Sequence, residues 1–157
     1  MDEKLVDEKL VDAQIAELNQ LYKEQDDIYH VLAVRCGLSD ASFWVMYALC
    51  EDDREYSQQD LCNAWFFPKQ TINSAIHSLT KMGYITLRRA ESARNKKYVD
   101  RTEEGMIFCR QKIYPVIEAE HKAFLAFDEE ERSVFLRLFQ KQNQCLKREM
   151  ELDKNED

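Results

Sequence analysis

Between Pro68 and Gly83 the sequence PKQTINSAIHSLTKMG leaves the backbone little choice. Proline has no N–H to offer and a φ suited to the first turn of a helix, while glycine ends a helix by turning left-handed. Between them Ile72, Ala75, Ile76, Leu79 and Met82 recur at helical spacing on one side. Lys69, Gln70, Asn73, Ser74, His77 and Lys81 cover the other. The inner stripe demands a core. The outer face is unusual, because ordinary solvent-facing helix surfaces carry paired Glu and Lys, whereas this one has uncharged polar groups, cations and no acid.

The flanking sequence places this helix in a larger motif. Ser57 to Asp60, SQQD, is a capping signature in front of a short helix through LCNAW. Two short helices separated by a few residues, the second with an apolar inner stripe, predict a helix-turn-helix. YITLRR then alternates Ile85 and Leu87 with polar neighbours, as a half-buried strand does, and KKYVDR supplies a returning strand. The connection AESARN contains Arg94 and is flanked by Arg88, Arg89, Lys96 and Lys97. A cation-tipped hairpin directly after a helix-turn-helix is a wing.

The remaining chain is helical. Only three Gly and two Pro occur in 157 residues, with 45% apolar content, so helix should far exceed its usual share of about one third. After a short DEKLV tandem at 2–11, Val11, Ile15, Leu18, Tyr22, Gln25, Tyr29, Leu32 and Cys36 form a three-and-four seam along a long first helix that stops at Gly37. Ser39 caps the strongly apolar DASFWVMYALCE, a core helix. Thr102, with Glu103 and Glu104, caps a fifth helix that runs on through residues 106–127 and bends at Pro115. Asp128 and Glu131 form a capping box for a last helix striped with Val134, Phe135, Leu138, Phe139, Cys145 and Leu146. The expected fold is mainly α with a small β-hairpin wing, in a single domain over 1–157. Residues 1–37 and 102–157 form dimerisation helices, and 38–101 form a winged helix-turn-helix lobe. Terminal amphipathic helices with nothing of their own to cover them suit a symmetric homodimer.

The net charge of −8 argues against a polyanionic partner only on average. Between Arg54 and Arg101 nine Lys or Arg stand against four acids, while the rest of the chain holds 13 against 26. The local patch is what meets a polyanion. Cysteines at 36, 50, 62, 109 and 145 include no C-x-x-C, and the three histidines are scattered, so no metal site and no cofactor is expected. No glycine-rich phosphate loop or paired catalytic motif suggests an enzyme. The acidic, amphipathic N-terminus is unlike a signal peptide and no apolar run approaches membrane-spanning length, so a cytoplasmic protein is expected.

SQQDLCNAWFFPKQTINSAIHSLTKMGYI, followed by LRR, SARNKKYVD and RTEEG, resembles the MarR family of bacterial transcriptional regulators across nearly the whole chain. The segment with T-x-x and L-x-x-x-G-Y-I is similar to the family's recognition-helix pattern, and RTEEG to its LTEKG. The sequence departs from the pattern in two places. FF at Phe66 and Phe67 stands where the family bends at a glycine, and SARNKK, with Ser92 and Asn95, stands where acids commonly flank the wing arginine. The resemblance implies a homodimeric regulator of double-stranded DNA, commonly a repressor on a pseudo-palindromic operator. It also implies release by a small aromatic effector bound between the dimerisation and DNA-binding parts.

Within that reading each group has a task. Gln70, Thr71, Asn73 and Ser74 stand at the start of the recognition helix, where side chains reach base edges in the major groove. Lys69, His77, Lys81 and Ser57 with its helix start suit phosphates, Arg94 matches the family's minor-groove arginine, and Lys96 and Lys97 extend the wing contact. Against these stand plainer readings: a solvated helix face, a hairpin with solubilising cations, or a winged helix that binds protein instead of DNA. Phe43, Trp44 and Tyr47 could line an effector crevice, but aromatics on an apolar helix are far more often core. Cys109 beside Arg110, and Cys36 after Arg35, are the thiols with a basic neighbour, which keeps redox sensing open as an alternative.

Overall fold

A computed structural model describes residues 7–52, 54–89 and 96–152. The chain divides into two compact units, Met1–Tyr114 and Pro115–Asp157.

The first unit begins with α1, Glu8–Arg35, whose N-cap Asp7 accepts from the backbone N–H groups of Lys9 and Leu10. The helix ends as the sequence predicts. Gly37 takes φ +73°, and the N–H groups of Gly37 and Leu38 return to the carbonyls of Val34 and Ala33, so both late carbonyls are satisfied. α2, Asp40–Glu51, starts at Ser39, whose hydroxyl accepts from the Ser42 N–H. Phe43, Val45, Met46 and Ala48 are completely buried, because this helix lies between α1 and the fourth helix and has apolar residues all round.

α3, Gln58–Trp65, and α4, Lys69–Lys81, form the helix-turn-helix. Pro68 sits one position earlier than expected, as the N-cap, where its carbonyl accepts from Thr71 and Ile72 and its missing N–H leaves nothing unpaired. Gly83, at φ +80°, reverses the chain into β1, Ile85–Arg89. β1 pairs antiparallel with β2, Lys97–Arg101, with Leu87 opposite Val99 and Ile85 opposite Arg101. Ile72, Leu79, Leu61, Ile85 and Val99 meet the core beneath the wing. Met82, assigned to the inner stripe by spacing, is instead exposed, since the helix has already ended there.

Thr102 caps α5, Glu103–Phe108, by accepting from the Gly105 N–H at 3.0 Å. A π-helical turn, Cys109–Ile113, follows, and α6, Tyr114–Leu125, begins at the junction of the units. The sequence predicts a bend at Pro115. The structure places a widened turn directly before the proline, which accommodates the missing donor and the ring without ending the helical run.

In the second unit Asp128 and Glu131 make the expected reciprocal capping box at the start of α7, Glu129–Glu149. Phe124, Phe127 and Phe135 have ring centroids 6.0–6.4 Å apart, and Phe139 stacks on Phe135 at 6.1 Å. No residue of α7 is buried. Along α1, Leu10, Ile15, Leu21, Ile28 and Val34 are each at least half exposed, while Leu18, Tyr22, Tyr29 and Leu32 are half-buried. Both units thus carry apolar helix faces that water would otherwise cover.

Candidate DNA interface

The capping box predicted from SQQD is present. The Ser57 hydroxyl accepts from the Asp60 N–H, and Asp60 Oδ2 accepts from the Ser57 N–H at 2.8 Å and from its hydroxyl at 2.6 Å. These bonds from Ser57 hold the Asp60 carboxyl below its ordinary value. Ser57 is only 3% exposed, so its hydroxyl serves the cap, and what the residue offers outward is the helix start it builds. Ser57 also bridges to Tyr98 of β2, and Val99 N–H donates to the Tyr56 carbonyl, which ties the start of α3 to the wing.

That connection gathers residues distant in sequence. Ser57, Gln58, Gln59 and Lys69 of the helix-turn-helix line one cleft of about 560 Å³ together with Lys96 and Lys97 of the wing. Lys96 Nζ lies 3.9 Å from Asp60 and 5.1 Å from the Tyr98 ring, so the cation is held over the cleft. Asp60 also lines the cleft, but three lysines and the N-terminal end of α3 outweigh its charge.

On α4, Lys69, Gln70, Asn73, Ser74, His77 and Lys81 are exposed on one face, while Ile72, Ala75, Ile76 and Leu79 are buried on the other. Thr71 is half-buried, and the Ser74 hydroxyl donates to the Gln70 carbonyl at 3.0 Å. Arg94 lies outside the described residues, as do Ser92 and Asn95. Among the wing cations, Arg88 is engaged internally: Nε donates to Asp100 Oδ2 at 2.8 Å, Nη2 to Glu55, and the guanidinium lies over the Tyr98 ring at 5.2 Å. These carboxylates raise its pKa further. Sequence alone marks Arg88 as a wing cation; its cross-strand partner Asp100 and distant Glu55 become visible only when the hairpin pairs.

FF lies in the turn between α3 and α4. Phe66 is the C-cap of α3 at φ +52°, ψ +25°, the conformation a glycine adopts easily, with its side chain 92% exposed. Two further features lay beyond sequence reasoning. Trp44 stacks on Trp65 at 4.3 Å, with Tyr29 and Tyr47 against the pair, and the buried Trp65 Nε1 has no hydrogen-bond partner among the described residues. Phe43 and Tyr47 are buried and Trp44 half-buried. Cys50 at the end of α2 neighbours Cys109, the first residue of the π turn. Arg101 Nη1 approaches Cys50 Sγ at 3.6 Å and the Tyr114 hydroxyl at 3.2 Å. Hydrogen bonding with Cys50, with Arg101 and Arg110 nearby, holds the Cys109 thiol below its ordinary pKa and pushes Cys50 up, and burial pushes Cys36 up.

Two short helices, a polar and cationic outer face on the second, and a hairpin wing bonded back to the first define a winged helix-turn-helix protein. Residues 37–97 match the MarR family model, and the chain has the MarR winged-helix fold. A MarR family regulator from Neisseria meningitidis superposes with TM-score 0.75 over 90% of this chain and 99% of its own, at 19% identity. A MarR family regulator from Listeria monocytogenes, complexed with 26mer DNA, gives TM-score 0.69 over 91% and 95%, at 18% identity. The PcaV regulator from Streptomyces coelicolor, in complex with its natural ligand, gives 0.61 over 80% and 91%, at 18% identity. No curated protein matches the chain in sequence. Among the described residues no helix is long and apolar enough to cross a membrane.

Proposed function

We propose that this protein is a cytoplasmic, sequence-specific DNA-binding transcriptional regulator that acts as a homodimeric repressor on a pseudo-palindromic operator. The observation that carries this reading is the acid-free outer face of α4 continuing into the lysine-lined cleft, within an otherwise acidic chain. Gln70, Thr71, Asn73 and Ser74 read base edges; Lys69, His77, Lys81, Lys96, Lys97 and the helix start at Ser57 hold phosphates; Arg94 enters the minor groove. The 26mer DNA bound by the Listeria regulator supports this use of the fold. Residues 1–37 and 102–157 form the dimer through the exposed apolar faces of α1, α6 and α7, which sets two recognition helices about one helical turn of DNA apart. The test is a gel shift with the DNA upstream of the protein's own coding sequence at several salt concentrations, with size-exclusion chromatography. A steeply salt-dependent shift and a dimer are expected. No shift at any salt favours a protein-binding winged helix instead.

A small aromatic effector suits the Tyr29, Trp44, Tyr47 and Trp65 cluster, where an acceptor on the ligand would satisfy the Trp65 indole N–H. The natural ligand held by PcaV supports control by a bound ligand.

The Cys50–Cys109 pair favours a second mode of control, by oxidation. The Cys109 thiolate attacks a hydroperoxide, releasing an alcohol, and the resulting sulfenic acid condenses with Cys50 to a disulfide and water. Arg101, the last residue of β2, loses a thiol partner in that step, so oxidation bears directly on the wing. Peroxide treatment followed by peptide mass spectrometry should find Cys50 joined to Cys109 with altered DNA affinity, and Cys50→Ser should respond differently. Unchanged affinity in the disulfide form rules this mode out.

A further inference from the structure

Phe66 is unfavourable twice over by local physics. Its backbone is left-handed, which L residues avoid because Cβ crowds the neighbouring carbonyl, and its ring stands 92% in water. Glycine would remove the first penalty and a polar residue the second. No aromatic ring among the described residues stacks on it. It lines a shallow groove with Gln59, Cys62, Asn63, Phe67, Pro68 and Lys69. That groove is continuous, through Gln59 and Lys69, with the lysine cleft, and Lys69 is the first residue of α4.

Resting on the DNA-binding reading, we infer that Phe66 is a base-reading residue that takes a thymine C5-methyl in the major groove. The turn that carries it leads straight into the end of α4 that enters the groove, and the thymine methyl is the apolar group the major groove displays for a ring to meet. The polar base readers lie on the helix itself, while Phe66 reaches from the turn ahead of it, so it reads an adjoining base pair. Strain and exposure in the free protein are then offset when DNA covers the ring.

The contact is tested with wild type and Phe66→Gly against two versions of the upstream fragment, one amplified with dTTP and one with dUTP, which lacks every thymine methyl. Phe66→Gly should raise the melting temperature, because glycine relaxes the turn, and weaken binding to the thymine fragment by about fivefold or more. The thymine-over-uracil preference of wild type should shrink by a similar factor in Phe66→Gly. Equal binding by both proteins overturns the inference, as does equal weakening on both fragments. So does a loss of self-association on size exclusion with DNA affinity unchanged, since a second copy would then be the cover. Failure of wild type to bind at any salt overturns the DNA reading itself, a separate result.

Discussion

Gly105 lies so close to Tyr84 that a Cβ built on it would stand 1.9 Å from the Tyr84 carbonyl oxygen. The contact locks α5 onto the start of the wing, where Thr102 N–H donates to the same carbonyl at 3.0 Å and the Thr102 hydroxyl donates to the Gly83 carbonyl. The obstacle is backbone, which cannot rotate aside. Gly105→Ala should therefore destabilise by about 2–3 kcal/mol, lowering Tm by roughly 5–10 °C, measured by thermal denaturation.

The two faces of α4 should separate cleanly. Leu79 is fully buried, and Leu79→Ala should cost about 2–5 kcal/mol of stability. Asn73, nearer the start of the helix and exposed, should leave stability within about 0.5 kcal/mol when changed to Ala, yet lose about 1–3 kcal/mol of discrimination between operator and unrelated DNA. Chemical denaturation beside competitive gel shifts checks both.

Cations that look alike in sequence should differ in salt dependence. Lys69→Ala and Lys97→Ala should each reduce the slope of log K against log salt by about 1. Arg88→Ala should leave the slope unchanged, since Asp100 and Glu55 already neutralise that guanidinium. Titrations at four or five salt concentrations would distinguish them.

Acid should act on the α3 cap. The Asp60 carboxyl is held below its ordinary value of 3.8, so the folded state favours the ionised form. Its contribution is complete above the unfolded pKa and is lost as pH falls through the lower folded value. The stability gap between wild type and Asp60→Asn should be full at neutral pH and shrink below about pH 4, in melting curves across that range.

What was legible in the sequence was local. Ser39, Ser57, Thr102 and Asp128 cap their helices through bonds spanning three residues, and Gly37 and Gly83 end theirs by a conformation glycine alone enters freely, so composition at those positions announces the geometry. The outer face of α4 was equally readable, because a helical repeat sorts side chains onto faces without reference to the rest of the chain. Phe66 was not, since a left-handed phenylalanine contradicts its own propensity and is fixed by the two helices that the turn must join.

The sequence by itself determined the helices, most of their ends and the wing, because each depends on residues a turn or a strand apart, and composition determined the charge contrast between the centre of the chain and its flanks. Only the tertiary structure decided which charges are free and which groups meet. Lys96 comes to the start of α3, Arg88 to Glu55, Cys50 to Cys109 and Gly105 to Tyr84 because packing the core brings distant segments together. No spacing along the chain encodes those meetings, which follow from burying the apolar faces of α2, α4 and the wing against one another.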